Sequence, residues 1–157
     1  MSTGTSADIE IYPMPSFPTL VVSDIRASAL WYCEALGFTN VFTIPGPNGV
    51  PTMVHLRWIK YADLLLFPDR DNSLANNPKG IGVALNYSTG DIEQLAKRAR
   101  QHNARIVEGP INRPWNICEL VILDPDGYRL VFNGPRLDGE HRSFDEIVAS
   151  ASKGFKD

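Results

Sequence analysis

Few side chains in this 157-residue chain are spaced for chemistry. His55 and Arg57 lie one residue apart in an apolar stretch, Met53 to Trp58, that reads as a strand. Alternation puts them on the face opposite Val54, Leu56 and Trp58. If that face lines a cavity, His55 could serve as a general base and Arg57 could steady a developing oxyanion. If it is solvated, both are ordinary surface groups. Glu119 sits in an otherwise apolar strand. It lies either on an exposed face or inward, where it would pair with Arg57 or Arg129 or meet a cationic ligand. Trp115 follows a Pro-containing loop. It either packs in the core or stacks on a flat ligand at a cavity mouth. Cys33 and Cys118 read as small core residues rather than nucleophiles. No Ser–His–Asp or Cys–His constellation is recognisable. The run Gly46-Pro47-Asn48-Gly49 lacks the Lys and the strand–helix context of a phosphate loop.

The elements that must position these groups repeat. Thr19 to Val22 is an apolar strand, and Ser23 and Asp24 can cap a helix. Ala27, Leu30, Trp31 and Ala35 follow helical spacing, and Gly37 can close the helix. Strands are expected at Phe38–Ile44, Met53–Trp58 and Leu64–Phe67, with a loop at Pro45–Gly49 and a turn near Lys60-Tyr61. After a polar linker, 69–80, the order starts again. Gly82 to Tyr87 is a strand, and Ser88 and Asp91 stand at capping-box spacing. Ile92, Leu95, Ala96 and Ala99 form a helical stripe, which Asn103 can end. Arg105 to Glu108 is a strand, Gly109 to Pro114 a loop. A hairpin closes the unit around Asp124-Pro125-Asp126-Gly127, where Pro125 pre-sets φ and Gly127 permits positive φ. The pattern β-α-β-β-β thus occurs twice, in modules 16–68 and 81–135. Residues 1–15 read as an N-terminal arm in which Ile9, Ile11 and Tyr12 alternate enough for a short edge strand. The tail, 136–157, carries one amphipathic stretch, Phe144, Ile147, Val148 and Ala151, expected to be a short packing helix.

Composition limits the function. The formal charge is −3, and Lys and Arg are scattered, which argues against nucleic acid as a partner. No apolar run approaches the ~18 residues of a membrane span, so no membrane partner is expected. Two cysteines without a signal peptide point to reduced thiols and a cytoplasmic location.

The repeat and its details resemble the vicinal oxygen chelate superfamily of glyoxalases, bleomycin-resistance proteins and dioxygenases. The matching text is Leu20-Val21-Val22-Ser23-Asp24-Ile25, Trp31-Tyr32 and Leu36-Gly37-Phe38, then Asp91-Ile92, Pro114-Trp115 and Asp124-Pro125-Asp126-Gly127-Tyr128. The resemblance implies an α+β fold of paired βαβββ modules, with a curled mixed sheet around a cavity and helices outside. The modules would pair within one chain or swap between two, making a homodimer. It places Trp31 and Tyr32 beneath the sheet. In the metal enzymes of this family four strand positions supply His or Glu ligands. Here those positions hold Phe17, Leu65, Gly82 and Val131, none with a lone pair for a hard or borderline cation. The turn that announces the family is therefore followed by Val131 where a ligating Glu is usual.

The expectation is a binding protein of the bleomycin-resistance type with no metal and no cofactor. It would sequester an antibiotic or another partly aromatic small molecule in a dimer cleft. Its walls would be Phe17, Leu65, Phe67, Trp115 and Val131, with His55, Arg57, Glu119 and Arg129 orienting the ligand. Asp63 and Asn133 share the strand faces of Leu65 and Val131. The alternative is a metal-independent enzyme on a natural product, with His55 as general base. A scaffold with a vestigial cavity is the third option.

Overall fold

The computed structural model describes residues 9–154. The first module contains β1 (Thr19–Val22), α1 (Ile25–Trp31), β2 (Thr39–Ile44), β3 (Met53–Arg57) and β4 (Asp63–Pro68). The second contains β5 (Ala84–Ser88), α2 (Ile92–Gln101), β6 (Arg105–Asn112), β7 (Ile117–Leu123) and β8 (Arg129–Pro135), and α3 (Phe144–Gly154) follows. Each module forms one mixed four-stranded sheet, ordered β1-β4-β3-β2 and β5-β8-β7-β6. In both, the first and last strands run parallel and the others antiparallel. The internal repeat read from the sequence is thus present strand for strand, and the chain is α+β.

Local chemistry explains the two helices. The Asp24 carboxylate accepts from the backbone N–H groups of Arg26 and Ala27, which otherwise have no helical partner. The helix then widens into a π-turn over Tyr32–Leu36 and stops at Gly37, whose φ of 95° suits glycine. Its buried face is Ile25, Ser28, Ala29, Tyr32, Ala35 and Leu36. Of the stripe expected from the sequence, Ala35 is buried and Trp31 packs against the core, but Ala27 and Leu30 face solvent, because Ile25 at the first helical position fixes the inward side. Asp91 caps α2 alone through Gln94, while Ser88 ends β5, so the proposed capping box is not formed. Ile92, Leu95, Ala96 and Ala99 are buried as expected.

Both helices lie on the same side of their sheets as a single core. Leu20, Val22, Val54, Leu56, Leu64 and Leu66 meet it from the first sheet, and Cys118, Leu120, Ile122, Leu130 and Phe132 from the second. Phe38, Trp58, Tyr87 and Phe132 join the modules, with ring centroids 5.2–5.7 Å apart in tilted, edge-on and stacked pairs. Reciprocal contacts reinforce the seam. The Tyr128 hydroxyl, at the β7–β8 hairpin, donates to the Val21 carbonyl at 2.9 Å. Trp58 Nε1, at the β3–β4 hairpin, donates to the Ser88 carbonyl at 2.6 Å. Each hairpin therefore ties down the first strand of the other module, and the free edges of β1 and β5 are partly satisfied. The buried Tyr32 hydroxyl donates to Asp124 at 2.8 Å, linking α1 to the Asp-Pro-Asp-Gly turn.

Four further expectations need correction. Residues 9–12 form no strand; Tyr12 is held by its ring and hydroxyl rather than by ladder bonds. The remainder of the arm, 1–8, lies outside the described residues. The loop placed at Gly109–Pro114 is largely strand: two register shifts let β6 pass Gly109-Pro110 and pair again at Ile111 with Glu119. The strand expected from Gly82 begins at Ala84, because Gly80 and Gly82 both take positive φ. Finally, α3 forms, but of its apolar residues only Ile147 is half-buried, while Phe144, Val148 and Ala151 are exposed; Asn116, bonded to Arg142, ties the segment just before the helix to the second module.

Candidate functional site

The sheet faces turned away from the core carry the chemistry, and they differ. On the first sheet, register pairs His55 with Leu65 and Arg57 with Asp63. A bulge after Asn40 sets Phe42 opposite His55, their rings 5.1 Å apart. Asp63 is the hub. Its Oδ1 accepts from Arg57 Nε at 2.7 Å and meets His55 Nε2 at 2.7 Å. Its Oδ2 accepts from the Tyr12 hydroxyl at 2.7 Å. Asp63 is 1% and His55 4% exposed. Burial pushes the Asp63 carboxyl up, but the hydrogen bonds from Tyr12, Arg57 and His55 outweigh it and hold the group below the usual carboxylate range.

The arm closes this cluster. The Arg57 guanidinium lies 4.3 Å from the Tyr12 ring centre and donates to the Glu10 carbonyl at 2.8 Å. Lys60 pairs with Glu10 at 2.8 Å, and the Tyr61 amide donates to the Tyr12 hydroxyl at 2.7 Å. Sequence reasoning missed Tyr12, Phe42 and the hub role of Asp63. The signal for Asp63 was its placement as an i−2 neighbour of Leu65. Nothing in the sequence linked residue 12 to residue 63.

On the second sheet the hub is a cation. Arg113 donates through Nε to Glu119 and through Nη2 to Glu108, the latter at 2.7 Å. Its guanidinium lies 5.9 Å from the Trp115 ring centre. Glu119 therefore pairs with Arg113, and with neither Arg57 nor Arg129. Trp115 is half-exposed, which removes the core-packing account of it. Val131 is buried on the same face, opposite Val121. Arg129 is exposed and has no ion-pair partner among the described residues. Phe17 is exposed just before β1, and Phe67 is half-buried beyond Leu65 on β4. The structure thus gathers His55, Arg57, Leu65 and Phe67 on one face and Trp115, Glu119 and Val131 on the other.

The donor set at the four family positions is Phe17, Leu65, Gly82 and Val131, and their side chains offer no ligand atom. Among the described residues no group of three or more His, Cys, Asp and Glu could hold a metal ion. The only imidazole–carboxylate pair on either face, His55–Asp63, is committed to Arg57 and Tyr12. The residues present do not fit a catalytic divalent metal, which takes about three protein ligands. Burial raises both thiols, Cys33 and Cys118, above their ordinary range, so neither is an activated nucleophile.

The family model of the Glyoxalase/Bleomycin resistance protein/Dioxygenase superfamily matches residues 16–132, and the chain belongs to that superfamily. No curated protein matches the chain significantly in sequence. Solved structures share the fold. TioX from Micromonospora sp. ML1 is 16% identical, with 76% of this chain and 97% of that chain covered and a TM-score of 0.63. TnmS3, an antibiotic binding protein from Streptomyces sp. CB03234, is 23% identical, with 82% and 99% covered and a TM-score of 0.61. A glyoxalase/bleomycin resistance protein/dioxygenase family enzyme from Burkholderia phytofirmans PsJN is 19% identical, with 77% and 98% covered and a TM-score of 0.62. Likeness at these identities establishes the fold. No described helix is long and apolar enough to cross a membrane.

Proposed function

We propose that this protein binds a partly aromatic small molecule, such as an antibiotic, and sequesters it without metal chemistry in a cleft between two copies of the chain. One observation carries the reading: the family's four ligand positions hold Phe17, Leu65, Gly82 and Val131, while the polar groups nearby are tied to one another. Phe42 and Ile44, each more than 40% exposed, continue the apolar surface beside Leu65. A partner sheet would bury that surface and complete a ligand cavity. TnmS3, which shares the fold, is an antibiotic binding protein, in agreement with this reading. Apolar walls would supply most of the affinity, and Arg57, Glu119 and the edge of His55 would set the orientation. Protection would then follow mass action and require a molar excess of protein over drug.

Titration with planar aromatic antibiotics and bleomycin-like glycopeptides, followed by Trp emission, tests the proposal. Saturable quenching by one class, at one ligand per cleft and with a dimer in sedimentation, is the expected result. Emission unchanged across the panel would count against it. So would a stoichiometric nickel or zinc ion that supports glyoxalase turnover.

A second reading has one observation of its own. The carboxylate of Asp63 at His55 Nε2 favours the tautomer that leaves the Nδ1 lone pair free, as in an oriented general base. A metal-independent enzyme would lose turnover in His55→Ala. A pure binder has no turnover to lose, and in it His55→Ala would change only the affinity for the antibiotic.

A further inference from the structure

The N-terminal arm is fastened to the first sheet mainly by one side chain. Among the described residues, the one backbone group of 9–16 bonded to the sheet is the Glu10 carbonyl, which accepts from Arg57. Pro13 and Pro15 have no N–H with which to extend a ladder, and Ile11 is 70% exposed. Tyr12, by contrast, is held as a bound ligand would be. Its hydroxyl donates to Asp63 Oδ2 and accepts from the Tyr61 amide, both at 2.7 Å. Arg57 Cζ lies 4.3 Å from its ring centre, and the Tyr61 ring tilts against it with centroids 4.8 Å apart. The fit is imperfect. Arg57 Nη2, on the guanidinium that this ring covers, is buried with no hydrogen-bond partner. An orphaned donor of this kind destabilises the closed arm, and lifting the arm would let water reach it.

We propose that Tyr12 is a built-in competitor: its seat is a subsite for a phenolic ring of the ligand, which enters when the arm lifts away. The subsite rests on the reading above, which gives this face to the ligand, and it adds the ligand's chemical class. Asp63 Oδ2, the Tyr61 amide and one face of Arg57 already meet around a single phenol, so only the arm has to move. A phenol from outside repeats both hydrogen bonds, donating to Asp63 and accepting from Tyr61. An ether or ketone oxygen can only accept, and would leave the carboxylate without its donor. The guanidinium favours a flat aromatic ring over an aliphatic one. The ligand binds only those molecules whose arm is lifted, so its apparent affinity falls in proportion to that fraction. The arm thereby excludes weak binders and keeps the cluster closed when no ligand is present.

The test uses p-cresol, the side-chain analogue of tyrosine, against 4-methylanisole, its ether, on the full chain. Saturation-transfer NMR gives the affinities of the wild type, Tyr12→Phe and Tyr12→Ala. Tyr12→Ala should bind p-cresol at least about tenfold more tightly than the wild type does, and should prefer it to the ether by a similar factor. Tyr12→Phe keeps the ring but loses both hydrogen bonds, so it competes less well and should gain about fivefold. In the wild type, p-cresol should accelerate cleavage after Glu10 by a glutamate-specific protease, read by mass spectrometry, because the displaced arm is open to attack. Unchanged or weaker p-cresol binding in both variants would overturn the subsite, since Tyr12 would then be a wall of the site or unrelated to it. Equal affinity of Tyr12→Ala for the two probes would also overturn it, as would cleavage after Glu10 that p-cresol leaves unaltered. Tighter p-cresol binding in Tyr12→Ala with no response to any antibiotic would uphold the subsite and count against sequestration. An antibiotic that binds while p-cresol ignores the substitutions would uphold sequestration and overturn the subsite.

Discussion

Asp63 and Arg129 hold equivalent places, each the first residue of the last strand of its module. Likewise Phe42 and Glu108 sit just past the bulge of the second strand, opposite His55 and Val121. The two modules thus share a backbone and invert its chemistry. On the first face a buried acid collects three donors beneath an aromatic arm. On the second a cation, Arg113, collects two carboxylates beside a half-exposed tryptophan. A duplicated fold fixes where side chains point, not what they carry. The difference also predicts unequal energetics, since the first cluster is sealed and the second is wetter.

The largest expected effect falls on the sealed hub. Asp63→Ala should lower the unfolding free energy by about 3 kcal/mol, because it strands the Arg57 guanidinium and His55 under the arm. The estimate sits at the low end of its range because Arg57 keeps some solvent contact. Denaturant melts would measure it, and a loss no greater than that of Arg129→Ala would break the contrast. The pH dependence of the wild type should carry the same signature. The Asp63 carboxyl titrates below its unfolded value, so its contribution is complete above the ordinary carboxylate pKa and lost as pH falls through the lower folded value. Asp124 runs the other way. Burial raises it, so its contribution is complete below the ordinary pKa and declines as pH rises through the higher folded value. Asp124→Asn should therefore compare more favourably with the wild type at neutral pH than in acid, and a pH-independent difference would refute the assignment.

Tyr12→Phe comes next. It removes one hydrogen bond to Asp63 but keeps the ring against Arg57, and should cost about 1 kcal/mol. Protection of residues 10–12 from proteolysis should fall with it; an unchanged cleavage rate would show that the hydroxyl does not hold the arm. Arg113→Ala should cost less than about 1 kcal/mol, because both carboxylates can turn to water. A change in Trp115 emission is its more sensitive readout. Arg129→Ala, the structural counterpart of the first substitution, should be neutral within about 0.5 kcal/mol.

Much of this was legible in the chain. Strand alternation placed Asp63, Leu65, Arg129 and Val131 on shared faces, and turn chemistry placed the final hairpin, because both depend on neighbours within a few residues. The misreadings share a cause. The α1 stripe included Ala27 and Leu30, although burial of Ile25 against the sheet fixes the phase and turns both outward. The packing role of α3 was inferred from amphipathicity, which cannot say whether a partner surface is in reach. Glu119 was offered Arg57 and Arg129 as partners, while the true one, Arg113, lay in a stretch read as loop that β6 reaches through its bulges.

By itself the sequence determined the duplicated β-α-β-β-β order and the absence of donor side chains at Phe17, Leu65, Gly82 and Val131, since element type and residue identity are local properties. Only the tertiary structure decided that Tyr12 closes over Asp63, that the second face is organised by Arg113, and that Tyr87 brings an unpartnered hydroxyl to the seam. Each of those depends on residues brought together by a common core, at separations that no periodicity encodes.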